Sequence, residues 1–161
     1  MITVRRASSF DAGSMAELLN AIIEKGGTTA ILRPVTAKDI IEWMDHAPTQ
    51  SAWHVALDTR ENVVGFQWIE PIYYIPPEAC NIATFVELGR TGLGIGSSLF
   101  DATKKAAKAL GYVWINAKIR ADNEGGLTYY QSRGFRDWRS DEDEELADGT
   151  IVSKISKRYD I

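Results

Sequence analysis

A cluster of glycines that runs straight into a helical pattern constrains the fold of this chain more than any other feature. The segment is GRTGLGIGSSLF, residues 89–100, with four glycines in eight positions. A β-rich run, PPEACNIATFVEL (76–88), precedes it, and a second one, YVWINAKI (112–119), follows the helix expected over 94–110. A strand, a crossover helix and a strand in this order predict a parallel pair with a right-handed connection.

The remaining hydrophobic periodicities predict a layered domain around that unit. The complete order is β-α-α-β-β-β-α-β-α-β-β, which predicts an α/β (α+β) fold with a mixed central sheet flanked by helices. No repeat or linker divides the chain, so we expect a single domain over residues 1–161. The acidic run 141–145 is interpreted as a solvated loop between the last two strands. The other strands are expected at 2–6, 51–58, 62–72, 135–138 and 150–158, and the other helices at 10–25, 36–46 and 123–133.

Composition excludes several classes of function. The formal net charge of −4 argues against a nucleic-acid partner, which favours a basic surface. No apolar run approaches the length of a membrane span, and the N-terminus lacks the apolar region of a secretory signal. Cys80 is the only cysteine, so no internal disulfide forms, and we expect a cytoplasmic location. One cysteine and two histidines leave little for a metal site, and none is expected.

A glycine loop between a strand and a helix N-terminus is typical of an anion site. Backbone N–H groups lack partners there and the helix dipole adds partial positive charge, so a phosphate or pyrophosphate is the expected guest. The alternative is a tight turn with no ligand. The G-x-G-x-x-G dinucleotide fingerprint does not fit the spacing of Gly92, Gly94 and Gly96. The Walker loop does not fit either, since no Gly-Lys-Ser/Thr ends the segment.

Two motifs resemble the GNAT superfamily of acetyl-CoA-dependent N-acetyltransferases. Residues 91–96, TGLGIG, match its motif A, Gln/Arg-x-x-Gly-x-Gly/Ala, with Thr91 at the position where the family prefers Gln or Arg. Within NEGGLTYYQSRGF, the residues Asn123, Gly126, Tyr130 and Gly134-Phe135 match its later signature. The resemblance implies a splayed central sheet, with the strand that ends ATFVE lying beside the pantetheine arm.

The resemblance also implies site residues. Tyr130 is the candidate general acid, because a phenol can protonate a thiolate as charge develops on it; alternatively it is a core aromatic. Asn123 matches a cofactor contact, although asparagine also favours the helix N-cap. Tyr129 is expected to point away and to pack. The residues expected to bind acetyl-CoA are Phe85, Val86, Thr91, Gly92, Leu93, Gly94, Ile95, Gly96, Ser97, Asn123 and Tyr130.

The loop GGTTAILRPVT resembles the branch that acetylates phosphinothricin and methionine sulfoximine. This implies a small-molecule amine as acceptor, an amino-acid derivative, and direct transfer through a tetrahedral intermediate. The candidate acceptor residues are Thr28, Thr29, Arg33 and Asn81. Family habit implies a homodimer.

The general base is left open by the sequence. Asn81 stands where relatives of that branch carry a glutamate, and an asparagine cannot accept a proton. Glu87, His54, Glu70, a water chain or direct binding of the neutral amine are alternatives. Two other functions are also left open: a catalytically weak acyl-CoA-binding or sensory module, and an acetyltransferase for a protein amine.

Overall fold

The computed structural model describes residues 1–161 and contains one seven-stranded sheet with helices on both faces. The sheet order is β1-β2-β3-β4-β5-β7-β6, and only the β4–β5 pair is parallel. The predicted order of elements and the parallel pair are therefore confirmed. The strands are β1 (Thr3–Arg6), β2 (Ala52–Leu57), β3 (Val63–Glu70), β4 (Ala79–Val86), β5 (Trp114–Arg120), β6 (Arg136–Glu145) and β7 (Ile151–Asp160); the helices are α1 (Ala12–Lys25), α2 (Ala37–Asp45), α3 (Ile95–Ala109) and α4 (Glu124–Ser132), with a 3₁₀ turn at Ser9–Asp11.

One face of the sheet packs against α1 and α2. Met15, Leu19 and Ile22 recur at helical spacing on α1 and are buried, and Ile40 is the buried residue of α2. They cover an aromatic layer in which the rings of Trp53 and Trp68 stack with centroids 4.1 Å apart. Thr36 caps α2 by accepting a hydrogen bond from the Asp39 N–H, which explains why that helix begins where it does.

The other face of the sheet packs against α3 and α4. Leu99 and Phe100 of α3 are almost fully buried, and Gly65 of β3 lies directly beneath that helix. A Cβ at Gly65 would meet Cγ2 of Ile95 at 2.8 Å, so only a glycine allows the helix to approach this closely. The approach fixes the start of α3, and with it the glycine loop, over the centre of the sheet.

The acidic segment 141–145 differs from its sequence interpretation. It belongs to β6, which runs from Arg136 to Glu145 and pairs with β7 through two irregularities of register. Two of its five carboxylates are paired: Lys118 Nζ lies 3.1 Å from Glu144 and 3.6 Å from Asp141. The prediction of a loop was wrong because a run of charges conceals strand alternation when cations on neighbouring strands neutralise it.

None of the four helices has the length and apolar character that crossing a bilayer requires.

Candidate active site

A single large cavity of about 1300 Å³ passes between β4 and β5. One wall is formed by residues 82–86 of β4 and the opposite wall by residues 118–120 of β5. At one end the cavity meets the glycine loop, and at the other it meets residues 28–31 of the loop between α1 and α2. It therefore connects an anion-type site to a second mouth through the sheet.

The cavity exists because the parallel strands separate. Their pairing has three register positions, and the last of these joins Asn81 to Asn116. At that point the buried Asn116 donates from Nδ2 to Oδ1 of Asn81 at 3.0 Å, and its own Oδ1 accepts from Trp138 Nε1 at 2.9 Å. From Ile82 onward β4 faces the cavity, so alternate backbone N–H and C=O groups along it are available to a bound molecule.

The glycine loop has the geometry of an anion cradle. Gly92 and Gly94 adopt φ angles of 84° and 83°, a conformation that favours glycine. Gly94 is the N-cap of α3 and brings no side-chain hydrogen bond, so the first N–H groups of α3 have no side-chain cap. A Cβ at either glycine would meet nothing within 4 Å, so there is room beside the loop. These features fit the pyrophosphate of acetyl-CoA.

A cationic side chain that the sequence reasoning missed lies beside this cradle. Arg133, in the turn after α4, donates from Nη1 to Oγ of Ser97 at 2.8 Å and lines the cavity. Its guanidinium adds positive charge where a phosphate group would lie. The signal was present in the sequence as a basic residue just before Gly134-Phe135, but only the fold brings α4 against α3.

Tyr130 lies on the cavity wall with its hydroxyl in contact with β4. Its Oη lies 2.8 Å from Oγ1 of Thr84, and 7% of the residue is exposed. Burial raises the pKa of Tyr130 well above its usual value of 10, the hydrogen bond to Thr84 acting in the opposite direction. The phenol is therefore protonated at neutral pH and can act as a proton donor.

Tyr129 does more than the packing role expected for it. Its Oη donates to the carbonyl of Gly96 at 2.7 Å and accepts from Nε2 of the buried Gln67 at 3.1 Å. Burial raises the pKa of Tyr129 to about 12. The ring lines the same cavity as Tyr130, with centroids 4.9 Å apart. Gln67 itself could not be identified from the sequence, because a lone glutamine in a strand carries no signal of its partners.

Two side chains from the β5–α4 corner hold the loop at the second mouth. Arg120 donates from Nη1 to the carbonyl of Thr29 at 3.2 Å, and a bidentate pair with Asp122 orients it. Asn123 accepts from the Gly126 N–H at 3.0 Å as the N-cap of α4, and donates to the carbonyl of Thr28 at 3.1 Å. Both polar atoms of Asn123 are thus engaged within the protein.

The structure separates the candidates for the general base. His54 is buried beneath α3 and does not line the cavity, and burial lowers its pKa to about 4. Glu87 pairs with Arg90 at 2.7 Å beside the glycine loop. Glu70 is the register partner of Asn81 on β3, and its Oε2 accepts from Trp68 Nε1 at 2.7 Å. Its carboxyl lines a pocket of about 250 Å³ that shares Trp68 and Ile31 with the main cavity, and burial raises its pKa.

Most of the residues predicted from the sequence line this one cavity, and two do not. Arg33 is exposed and lies outside the cavity, and the Leu93 side chain is 64% exposed. The contacts that the resemblance implies for residues 91–97 are made mainly through backbone N–H groups, so binding at Leu93 stays a prediction, as does a contact of Arg33 with the acceptor. The predicted residues that line the cavity are Thr28, Thr29, Asn81, Phe85, Val86, Thr91, Gly92, Gly94, Ile95, Gly96, Ser97, Asn123 and Tyr130.

Comparisons with known proteins agree with this geometry. Residues 15–135 match the sequence profile of the Acetyltransferase (GNAT) family. The "Putative phosphinothricin acetyltransferase YwnH" of Bacillus subtilis (strain 168) is 27% identical over 99% of this chain and 95% of its own length.

Solved structures share the fold at lower identity. A phosphinothricin acetyltransferase of the GNAT superfamily from Sinorhizobium meliloti, crystallised with acetyl-CoA, is 18% identical, with a TM-score of 0.89 over 99% of this chain and 88% of its own. A ribosomal-protein-alanine N-acetyltransferase from Brucella melitensis is 17% identical, with a TM-score of 0.88 over 99% of both chains. The sequence match and the cavity lead to one conclusion: the chain belongs to the Acetyltransferase (GNAT) family and is an N-acetyltransferase that uses acetyl-CoA.

Proposed function

We propose that the protein transfers the acetyl group of acetyl-CoA directly to the primary amine of a small molecule, an amino-acid derivative. The observation that carries the proposal is the continuous cavity, which has the glycine loop at one end, the loop 28–31 at the other and the Tyr130 hydroxyl on its wall. A cavity that crosses the sheet lets a donor and an acceptor enter from opposite mouths.

The acceptor mouth favours a small molecule over a protein. The loop at residues 28–31 is tied down by Arg120 and Asn123, and Trp68, Ile72 and Tyr74 line the same end of the cavity. A pocket with fixed walls suits a compact acceptor. The relative named for phosphinothricin acetylation supports the same class. The fold alone does not support a small-molecule acceptor, since the Brucella melitensis enzyme has the same fold and is named for a ribosomal protein.

The proposed mechanism divides proton handling between Glu70 at the end of β3 and Tyr130 on α4. Bound acetyl-CoA supplies an acetyl thioester. Glu70 accepts a proton from the acceptor ammonium, and the neutral nitrogen attacks the carbonyl carbon to form a tetrahedral intermediate. As the intermediate collapses, the carbon–sulfur bond breaks and Tyr130 donates its hydroxyl proton to the departing sulfur. The nitrogen loses its second proton to solvent, from which Tyr130 is protonated again. Backbone N–H groups near Phe85 and Val86 hold the donor and polarise its carbonyl. Thus a carboxylate on β3 performs the role for which Asn81 on β4 is unsuited.

The experiment that tests the proposal measures thiol release from acetyl-CoA across a panel of acceptors. The panel contains methionine sulfoximine, free amino acids, polyamines and a lysine peptide. We expect turnover with an amino-acid derivative. Tyr130→Phe should lower kcat about 100-fold or more while acetyl-CoA still binds. Tyr73→Phe is the matched control, because Tyr73 is 94% exposed and lies outside the cavity.

Other outcomes would favour the rival functions. Turnover with the lysine peptide alone would assign a protein amine as acceptor. Binding of acetyl-CoA without turnover of any amine would favour an acyl-CoA-binding or sensory module. A homodimer and a cytoplasmic location stay predictions.

A further inference from the structure

A row of hydrogen-bonding groups links the start of α3 to the hydroxyl of Tyr130. It begins at the carbonyl of Gly96, which is 2.7 Å from Tyr129 Oη, and continues to Gln67 Nε2 at 3.1 Å. Gln67 Nε2 is also 2.8 Å from Thr84 Oγ1, which is 2.8 Å from Tyr130 Oη. Gln67 is fully buried and does not line the cavity, so its contact with the site is indirect, through Thr84 and Tyr129.

The chemistry of the groups fixes the direction of these hydrogen bonds. The Gly96 carbonyl can only accept, so Tyr129 gives its single proton to it. Tyr129 Oη must then accept from Gln67, and only the amide nitrogen can donate. The same nitrogen has a second proton, and Thr84 Oγ1 accepts it. The opposite orientation of the amide would bury two N–H donors without partners, whereas the observed one leaves only Oε1 unpaired.

The direction has a consequence for the candidate general acid. Either hydroxyl can donate in the contact between Thr84 Oγ1 and Tyr130 Oη. Because Thr84 Oγ1 already accepts from Gln67, cooperativity along the row favours Thr84 as the donor to Tyr130 Oη. The proton of Tyr130 is then not consumed by Thr84 and can point into the cavity, which both residues line. We propose that Gln67 is a positioning residue that, through Thr84, keeps the hydroxyl proton of Tyr130 free for the departing thiolate.

This inference rests on the proposed function, in which Tyr130 is the proton donor. Gln67 touches neither substrate. Its effect is to prevent Thr84 from becoming a competing acceptor for the proton that catalysis needs. The reaction itself is unchanged: the proton leaves Tyr130 and the sulfur receives it.

The test compares Gln67→Met with the double variant Gln67→Met/Thr84→Val. Methionine has a similar length and no N–H, so Thr84 Oγ1 becomes free to accept from Tyr130. We expect kcat to fall about tenfold or more, with the KM for acetyl-CoA unchanged. Removing the hydroxyl of Thr84 as well abolishes the competing acceptor, so the double variant should recover much of the lost kcat. A purely structural defect would deepen, not recover, with a second truncation.

Controls keep the two proposals separate. Thermal melting checks that each variant folds, and Gln67→Leu replaces the methionine variant should that one fail. Wild-type kcat in Gln67→Met, or equal loss in the single and double variants, overturns the role of Gln67 when Tyr130→Phe is impaired. If Tyr130→Phe retains full kcat, the proposed acid has failed instead, and the role of Gln67 with it.

Discussion

Replacement of Asn123 should separate its two structural roles. In Asn123→Ala, α4 loses its N-cap acceptor, a change that costs about 1 kcal/mol. The loop at Thr28 loses the bond from Nδ2, which contributes about 0.5–1 kcal/mol in a partly exposed setting. The free energy of unfolding should therefore fall by roughly 1.5–2 kcal/mol, a drop in Tm of about 3–8 °C for a chain of this size.

The matched variant is Asn123→Asp, which keeps the N-cap acceptor and removes only the donor. Aspartate caps helices as well as asparagine, so about half of the lost stability should return. Both variants release the loop at Thr28, so both should raise the KM of the acceptor amine. The measurements are thermal melting and steady-state kinetics. Equal destabilisation by Ala and Asp, or an acceptor KM unchanged in Asp, would refute the reasoning.

Three further predictions concern single residues. Gly96→Ala places a Cβ 2.6 Å from Cε1 of Tyr129, so it should displace that ring and lower stability by about 1–3 kcal/mol in denaturant unfolding. Gly13→Ala is its control, because a Cβ there meets nothing within 4 Å and alanine favours the helix, so stability should hold or rise. Burial, with a contribution from the charge of Arg6, lowers the pKa of His54 from 6.5 to about 4. Between these two pH values the unfolded chain binds a proton at His54 that the native state does not bind. Stability should fall as the pH falls from about 6.5 towards 4, and His54→Gln should show a smaller fall between about pH 7.5 and pH 5; an equal fall would contradict the reasoning. Burial raises the pKa of Glu70, so kcat/KM should decline as the pH falls through that raised value, and Glu70→Gln should have much lower activity without this decline; wild-type activity in Glu70→Gln would exclude it as the base.

The sequence predicted those features of the fold that depend on residues adjacent in the chain. Glycine spacing and hydrophobic periodicity predict the strand–loop–helix–strand unit, because φ angles and side-chain periods are properties of adjacent residues. The N-cap at Asn123 follows from the same local chemistry.

Contacts between distant segments were beyond sequence reasoning. Gln67 and Tyr129 are 62 positions apart and meet only because α4 packs against the sheet. The angle of about 100° between successive helical residues suggested that Tyr129 points away from Tyr130. Both side chains nevertheless line one cavity, because the cavity is wide enough to extend along both. The Arg33 side chain lies outside the cavity for the converse reason, since the fold turns the loop around Thr28 and Thr29 inward and leaves Arg33 exposed.

The hydrogen bond between Asn81 and Asn116 marks the point at which the sheet divides. It lies at the end of the short parallel pairing of β4 with β5, which has three register positions. This pairing joins strands β1–β4 to strands β5, β7 and β6. The bond between Asn81 and Asn116 is the last side-chain contact of this pairing before β4 and β5 separate to form the cavity. A molecule that fills the cavity contacts both walls, and so connects β4 to β5 where the strands themselves do not pair. In this chain the first position that faces the cavity, Asn81, therefore holds the two strands together, and the base proposed above lies on β3, which takes no part in that pairing.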